Sequence, residues 1–132
     1  MTGVQTCALP IFHTGFDATP GSLEQTCVAT GYRLYLEHHE KLGLPLLQSG
    51  AVVAAWTPEQ EEKLPSILDK AHANAVTDCA LIDGAELRRR EPQLAQHVRA
   101  GVWVPGEHII DPWSAPLAYA RQAVDQIGRA HV

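Results

Sequence analysis

Leu46-Leu47-Gln48-Ser49-Gly50-Ala51-Val52-Val53-Ala54-Ala55-Trp56 is the stretch on which the fold turns. It carries no charge, is β-branched at Val52 and Val53, and is bounded by Pro45 and Pro58. That pattern predicts one strand over Leu46 to Trp56. The run is apolar enough to be covered on both faces. Gly50 inside it predicts a bulge or a close approach of another group to the backbone.

Helices are expected on either side. Ser22 to Leu42 reads as a helix: Ser22 and Gln25 form a capping-box pattern, in which hydroxyl and amide each satisfy a free backbone group. Leu23, Cys27/Val28, Gly31/Tyr32, Tyr35 and Leu42 recur near helical spacing, and Gly43 supplies the stop. Downstream, Thr57-Pro58-Glu59-Gln60 opens a second helix with a cap, a proline at the first helical position and a capping-box glutamine. Leu64, Ile67, Leu68, Ala71 and Ala75 line its apolar face, Pro65 predicts a kink, and Asn74 is its expected stop.

The remainder alternates. Cys79 to Ile82 is a short strand, and Asp83 caps a short helix that ends near Glu91 because Pro92 follows. Val98 to Pro105 is a strand, and Gly106 to His108 a turn. Asp111-Pro112 opens a last helix running to about Asp125. Few strands mixed with helices predict an α+β fold, a small and mainly antiparallel sheet with helices packed on it. In this reading the opening loop, His13 to Leu23, and the final helix have no strand of their own to pack on. A domain inserted between two halves of another has that pattern.

Both ends look foreign to this domain. Met1 to Ile11 lacks the basic segment of a secretory signal. It resembles the translation of a sequencing-library adapter, and Ile127 to Val132 resembles the same adapter reversed. The natural protein is therefore expected over Phe12 to Gln126, and Cys7, Arg129 and His131 are left out of functional arguments. The alternative is a natural flexible terminus at each end.

Composition narrows the function classes. The 132 residues carry a net charge of −5, and the one basic cluster, Arg88-Arg89-Arg90, lies beside Glu86 and Glu91 on an expected helix. A solvated helix face accounts for it, so nucleic-acid binding is disfavoured. No apolar run is long enough to span a membrane. Cys27 and Cys79 sit apart in apolar segments and are expected to be buried, reduced thiols, which suits a cytoplasmic setting.

Several short motifs, in order, resemble one family. His13-Thr14-Gly15 followed by Pro20-Gly21-Ser22-Leu23, then Gly50-Ala51-Val52-Val53-Ala54, Arg90-Glu91-Pro92, Val102-Trp103-Val104-Pro105 and Asp111-Pro112-Trp113 resemble FAD-dependent oxidoreductases of the D-amino-acid-oxidase superfamily. The likeness is to the branches that contain anaerobic-type glycerol-3-phosphate dehydrogenases and L-2-hydroxyglutarate dehydrogenases. It implies that residues 12–111 are part of the substrate-binding domain of a two-domain FAD enzyme, and that 112–126 is a helix returning to the FAD-binding domain. The implied reaction is oxidation of glycerol 3-phosphate or a 2-hydroxy acid by hydride transfer to flavin. The implied partner is a small-molecule substrate, and the full-length enzyme could be peripheral to a membrane. The Gly-x-Gly-x-x-Gly turn that holds the FAD pyrophosphate is absent from the sequence, so this stretch alone is not expected to bind FAD or to be active.

The resemblance places His13 and Gly15 near the flavin and substrate, with His13 the candidate catalytic residue. The competing reading of His13 is a loop histidine that only bonds the backbone. Where family members carry aromatic or arginine residues after the glycine, this sequence has Phe16-Asp17-Ala18. His38-His39 with Cys27 lacks the spacing of a metal site, so no metal is expected. His72 and His97 are expected at the surface, and His108 beside Glu107 in a turn, with a role at the cavity edge as the lesser alternative. Asp111 reads as a cap, and Trp103 and Trp113 as packing anchors. A stand-alone α/β binding or interaction module without cofactor is the alternative to the enzyme.

Overall fold

The computed structural model describes residues 10–127. Cys7 and the adapter-like residues 1–9 and 128–132 lie outside the described residues. The elements run β1 (Ile11–Phe12), α1 (Leu23–Leu42), β2 (Leu46–Leu47), β3 (Ala51–Ala55), α2 (Pro58–Glu61), α3 (Leu64–Ala73), β4 (Ala80–Asp83), α4 (Gly84–Arg90), β5 (Ala100–Val104), β6 (His108–Ile110) and α5 (Ser114–Ile127). They build two antiparallel three-stranded sheets, ordered β1-β6-β2 and β3-β5-β4. The α+β class with small antiparallel sheets is as expected.

The single strand expected over Leu46 to Trp56 is two strands in two sheets. Leu46 and Leu47 pair with Ile110 and Ile109, whereas Ala51 to Ala55 pair with Val104 to Ala100. Gly50 makes the break possible, with φ +66°, a region that side chains other than glycine's rarely enter. The close approach read from Gly50 is present as well: a Cβ there would lie 2.1 Å from the Trp103 ring. The Arg90 guanidinium sits over the other part of that environment, 4.7 Å from the Trp103 ring centroid.

Helix boundaries follow their caps. The Ser22 side chain accepts the Gln25 amide, and Gly43 closes α1 in the left-handed conformation. Thr57 and Gln60 form the full capping box of α2. The expected second helix is broken at Glu62-Lys63, upstream of Pro65, which sits in the first turn of α3 and so avoids displacing an interior hydrogen bond. Asp83 caps α4 through the Glu86 amide.

Two apolar clusters hold the layers. Phe16, Ala55, Leu64, Ala71, Cys79, Val102 and Val104 pack together, joining the loop after β1 to α3 and the β3-β5-β4 sheet. Each fully buried valine contributes about 1.5–3 kcal/mol. α4 covers the opposite face, where a Cβ on Gly101 would come 3.2 Å from Leu87. Phe12, Tyr35 and Leu44 form the second cluster, with Ile110 of β6 and Ala115 and Ala118 of α5 around it.

Four expectations need correction. The opening loop does have a strand: β1 pairs with β6, and residues read as a turn, His108 included, lie in or beside that strand. The turn is confined to the residues before Glu107, because Glu107 and His108 are buried against the loop. Trp113 is 72% exposed and anchors nothing among the described residues. Cys27 is exposed, because α1 packs through Val28, Tyr32, Tyr35 and Leu42, and residue 27 lies about 100° around the helix from residue 28. Cys79 is buried as expected, and burial, helped by the Asp78 and Glu107 charges, pushes its thiol up to about 11. Since the thiolate is the nucleophile, iodoacetamide at about pH 8 is expected to modify Cys27 and spare Cys79 until the chain is denatured. Peptide mass mapping before and after urea checks this; equal modification in the folded chain would contradict the buried position of Cys79.

Candidate functional site: a histidine loop held by Glu107 and Asn74

The chain leaves β1 at Phe12, and Phe12 pairs with His108 across the antiparallel ladder. That register sets residue 13 opposite residue 107. The Glu107 carboxylate uses it fully: Oε1 accepts the Thr14 amide at 2.6 Å and the Thr14 hydroxyl at 2.7 Å, and Oε2 lies 2.9 Å from His13 Nδ1. Glu107 is only 2% exposed, whereas the His13 side chain is 57% exposed. A carboxylate removed from water costs several kcal/mol unless its oxygens are partnered; the two Thr14 donors bond Oε1, and the His13 ring stands beside Oε2. His13 therefore stands at the surface with one ring nitrogen beside Glu107 and the other directed away from it.

Behind His13 the loop is clamped from α3. Asn74, at the C-cap of α3, donates through Nδ2 to the carbonyls of Gly15 at 2.9 Å, Phe16 at 3.2 Å and Ala18 at 2.8 Å. Lys70 Nζ adds a bond to the Asp17 carbonyl at 3.2 Å. Gly15 is buried with φ +86°, and a Cβ there would press on Val28 at 3.3 Å. Its backbone conformation alone calls for glycine. Ala75, just after the clamp, also has positive φ, at 63°; a non-glycine residue there stores about 1 kcal/mol or more.

Tyr32 of α1 completes the frame. Its hydroxyl donates to the Gly106 carbonyl at 2.8 Å, and its ring stacks on Phe12 with centroids 4.6 Å apart. Burial first, then the Asp78 and Glu107 charges, raise its pKa above the ordinary tyrosine value. A cavity of about 370 Å³ lies beside the loop, lined in part by Thr14, Tyr32, Asn74, Asp78 and Gly106.

The structure thus brings His13 and Gly15 into one loop with Glu107, Thr14 and Asn74, and leaves the other histidines apart. His39 stacks on Tyr35, and His72 and His97 are exposed. His108 is buried, with Nδ1 unpartnered. No group of three metal-ligating side chains occurs among the described residues. Asp111 is a cap, accepting the Ser114 amide at 3.0 Å, and the Ser114 hydroxyl bond lowers its pKa. Arg89 and Arg90 pair with Glu86 on α4, as expected of a solvated face. The sequence reading gave no weight to Glu107 or to Asn74 as a clamp. The available signal for Glu107 was a lone charge in the otherwise uncharged run Gly101 to Ile110. For Asn74 there was none, because a helix stop and a three-carbonyl clamp look alike in sequence.

A dinucleotide pyrophosphate sits at a helix N-terminus after a parallel strand, with glycines at the turn. Every strand pair among the described residues is antiparallel. These residues do not fit that part of FAD.

Comparison with known proteins places this arrangement. The chain is 24% identical to a glycerol 3-phosphate dehydrogenase of Caloramator mitchellensis over 115 residues, 87% of this chain and 24% of that protein. It is 29% identical to the mitochondrial L-2-hydroxyglutarate dehydrogenase of Caenorhabditis elegans over 76% of this chain and 23% of that one. The chain spans about a quarter of the length of these relatives. Among solved structures, the L-α-glycerophosphate oxidase of Mycoplasma pneumoniae, with FAD bound, superposes with a TM-score of 0.76 at 28% identity, covering 86% of this chain and 31% of that one. A family profile described as FAD dependent oxidoreductase matches residues 8–131, nearly the whole sequence, and on that match the chain belongs to the FAD-dependent oxidoreductase family.

Proposed function

We propose that this chain is part of the substrate-binding domain of an FAD-dependent dehydrogenase or oxidase acting on a small hydroxy compound, either glycerol 3-phosphate or a 2-hydroxy acid. In this proposal residues 12–111 form the substrate-domain portion, 112–126 lead back to the FAD-binding domain, and the adapter-like ends do not belong to the enzyme. The setting proposed is cytoplasmic. The observation that carries the reading is His13: a half-exposed imidazole held 2.9 Å from a buried carboxylate. The names of the relatives supply the two substrate classes.

Bound FAD would supply the hydride acceptor, and its pyrophosphate cradle would come from sequence that the full-length enzyme adds. The described residues contribute positioning and proton handling. His13 presents its outward nitrogen to the substrate hydroxyl, orienting it or taking its proton, since imidazole exchanges protons near neutral pH. Gly15 lets the loop turn tightly behind His13.

The test uses the full-length coding sequence. Its purified flavoprotein is mixed anaerobically with L-glycerol 3-phosphate or with L-2-hydroxyglutarate, and the flavin absorbance is followed. One of the two is expected to bleach the flavin, and His13→Asn to slow that reduction by roughly 10²–10⁴-fold. If neither compound bleaches it, the substrate reading falls. If His13→Asn reduces as fast as the unmodified enzyme, the role of His13 falls.

A further inference from the structure

We infer that Glu107 is a positioning residue that dictates which ring nitrogen of His13 carries the proton, fixing Nδ1–H and leaving Nε2 as the acceptor toward the open side. The functional meaning of this rests on the reading of His13 as a site residue; the proton assignment itself does not.

The argument is a count of donors and acceptors. The Phe16 amide donates to Thr14 Oγ1 at 3.3 Å. With that position filled, the Thr14 hydroxyl turns its own hydrogen to Glu107 Oε1 at 2.7 Å. The Thr14 amide, which can only donate, points at the same oxygen at 2.6 Å. Oε1 is thereby committed as an acceptor from two sides. Oε2 faces His13 Nδ1 at 2.9 Å. An ionised carboxylate only accepts, so a hydrogen shared across this gap sits on Nδ1. Neutral His13 then has its lone pair on Nε2, the nitrogen away from Glu107. A histidine intended to take a proton from a hydroxyl needs that tautomer, and a neighbouring carboxylate is a common means of enforcing it. No other charged group lies within salt-bridge distance of His13 among the described residues.

The carboxamide of Glu107→Gln reverses the pattern in a predictable way. Its oxygen must stay on the two Thr14 donors. Its NH₂ group is left facing His13 Nδ1, which must now accept, so the proton moves to Nε2. Long-range ¹H–¹⁵N correlation spectra of the ¹⁵N-labelled chain at about pH 9, above the ordinary histidine range, read the tautomer directly. Wild type is expected to show Nδ1–H at His13, and Glu107→Gln to show Nε2–H with the Thr14 amide resonance retained. An Nε2–H tautomer in wild type, or an unchanged tautomer in a folded Glu107→Gln chain, would overturn the inference. The wild-type spectrum decides it alone if the variant fails to fold. In the full-length enzyme, Glu107→Gln is expected to slow flavin reduction by about 10²-fold or more, with Glu107→Asp recovering part of the rate. A flipped tautomer with an unchanged rate would keep the control of His13 by Glu107 and overturn the role given to His13 itself.

Discussion

Asn74→Asp is expected to destabilise the fold by about 3–5 kcal/mol, the loss typical of an uncompensated buried charge, although it replaces one atom by another of similar size. Asn74 is 6% exposed. Its Nδ2 group serves three carbonyls of the loop, those of Gly15, Phe16 and Ala18, all within 3.2 Å. Aspartate offers those carbonyls a negatively charged oxygen and no donor. Three acceptors would face a fourth in a buried site. The variant can relieve the repulsion only by holding a proton, so its carboxyl titrates higher folded than unfolded. Its deficit therefore grows as pH rises through the unfolded carboxylate range and shrinks in acid, where one O–H donor returns. Urea unfolding near neutral pH and in mild acid reads both effects. Asn74→Ala, which removes the donors without adding charge, should lose less. A loss for Asn74→Asp of under about 1 kcal/mol would mean that the clamp does not hold the loop.

Gly84→Ala carries the second large penalty, about 2–4 kcal/mol, from overpacking together with a weakened hydrogen bond. Gly84 opens α4, and its amide donates to the Arg99 carbonyl at 2.7 Å. A Cβ at this position would lie 2.3 Å from the Val98 carbonyl oxygen and 2.9 Å from that of Arg99. Both are backbone atoms at the start of the strand that joins β3 to β4, so they cannot swing aside as a side chain would. The Arg88 guanidinium also bonds Val98 O at 3.3 Å, and that contact would be disturbed too. Gly31→Ala is the control, because the space around Gly31 in α1 is open to 4 Å and alanine favours helix. Thermal unfolding should show a clear drop for Gly84→Ala and none for Gly31→Ala. Equal melting temperatures for the two variants would contradict the close packing of α4 on β5.

What could be read from the sequence is what local chemistry decides. Ser22, Thr57, Asp83 and Asp111 are caps in the structure as they are in the sequence, because a cap needs only neighbours three residues away. Gly50 announced a close approach, but not that the chain would change sheets there. A change of sheet depends on which strand lies alongside, and that partner is over fifty residues away in β5 or β6. The family likeness was legible because it rests on ordered motifs, whereas Glu107 was not. Its value comes from the β1–β6 register, which sets it opposite His13. Cys27 failed for the converse reason: apolar spacing marks a stripe on a helix but leaves its orientation open by a residue or more. Trp113 failed because the size of an aromatic ring does not say which way it faces.

The pairing of β1 with β6 has a mechanical side. Ile11 lies opposite Ile109 and Phe12 opposite His108, so the chain enters and leaves at the same end of a very short ladder. Tension between the two ends would load its hydrogen bonds one after another, as in opening a zip, rather than all at once in shear. Nearly everything else described, including the β3-β5-β4 sheet, lies inside the loop that this ladder closes. That interior would bear no load until the ladder had parted. The ladder is thus a weak link in series with a protected interior; it would open from the Ile11–Ile109 end and reach the contact between His13 and Glu107 last.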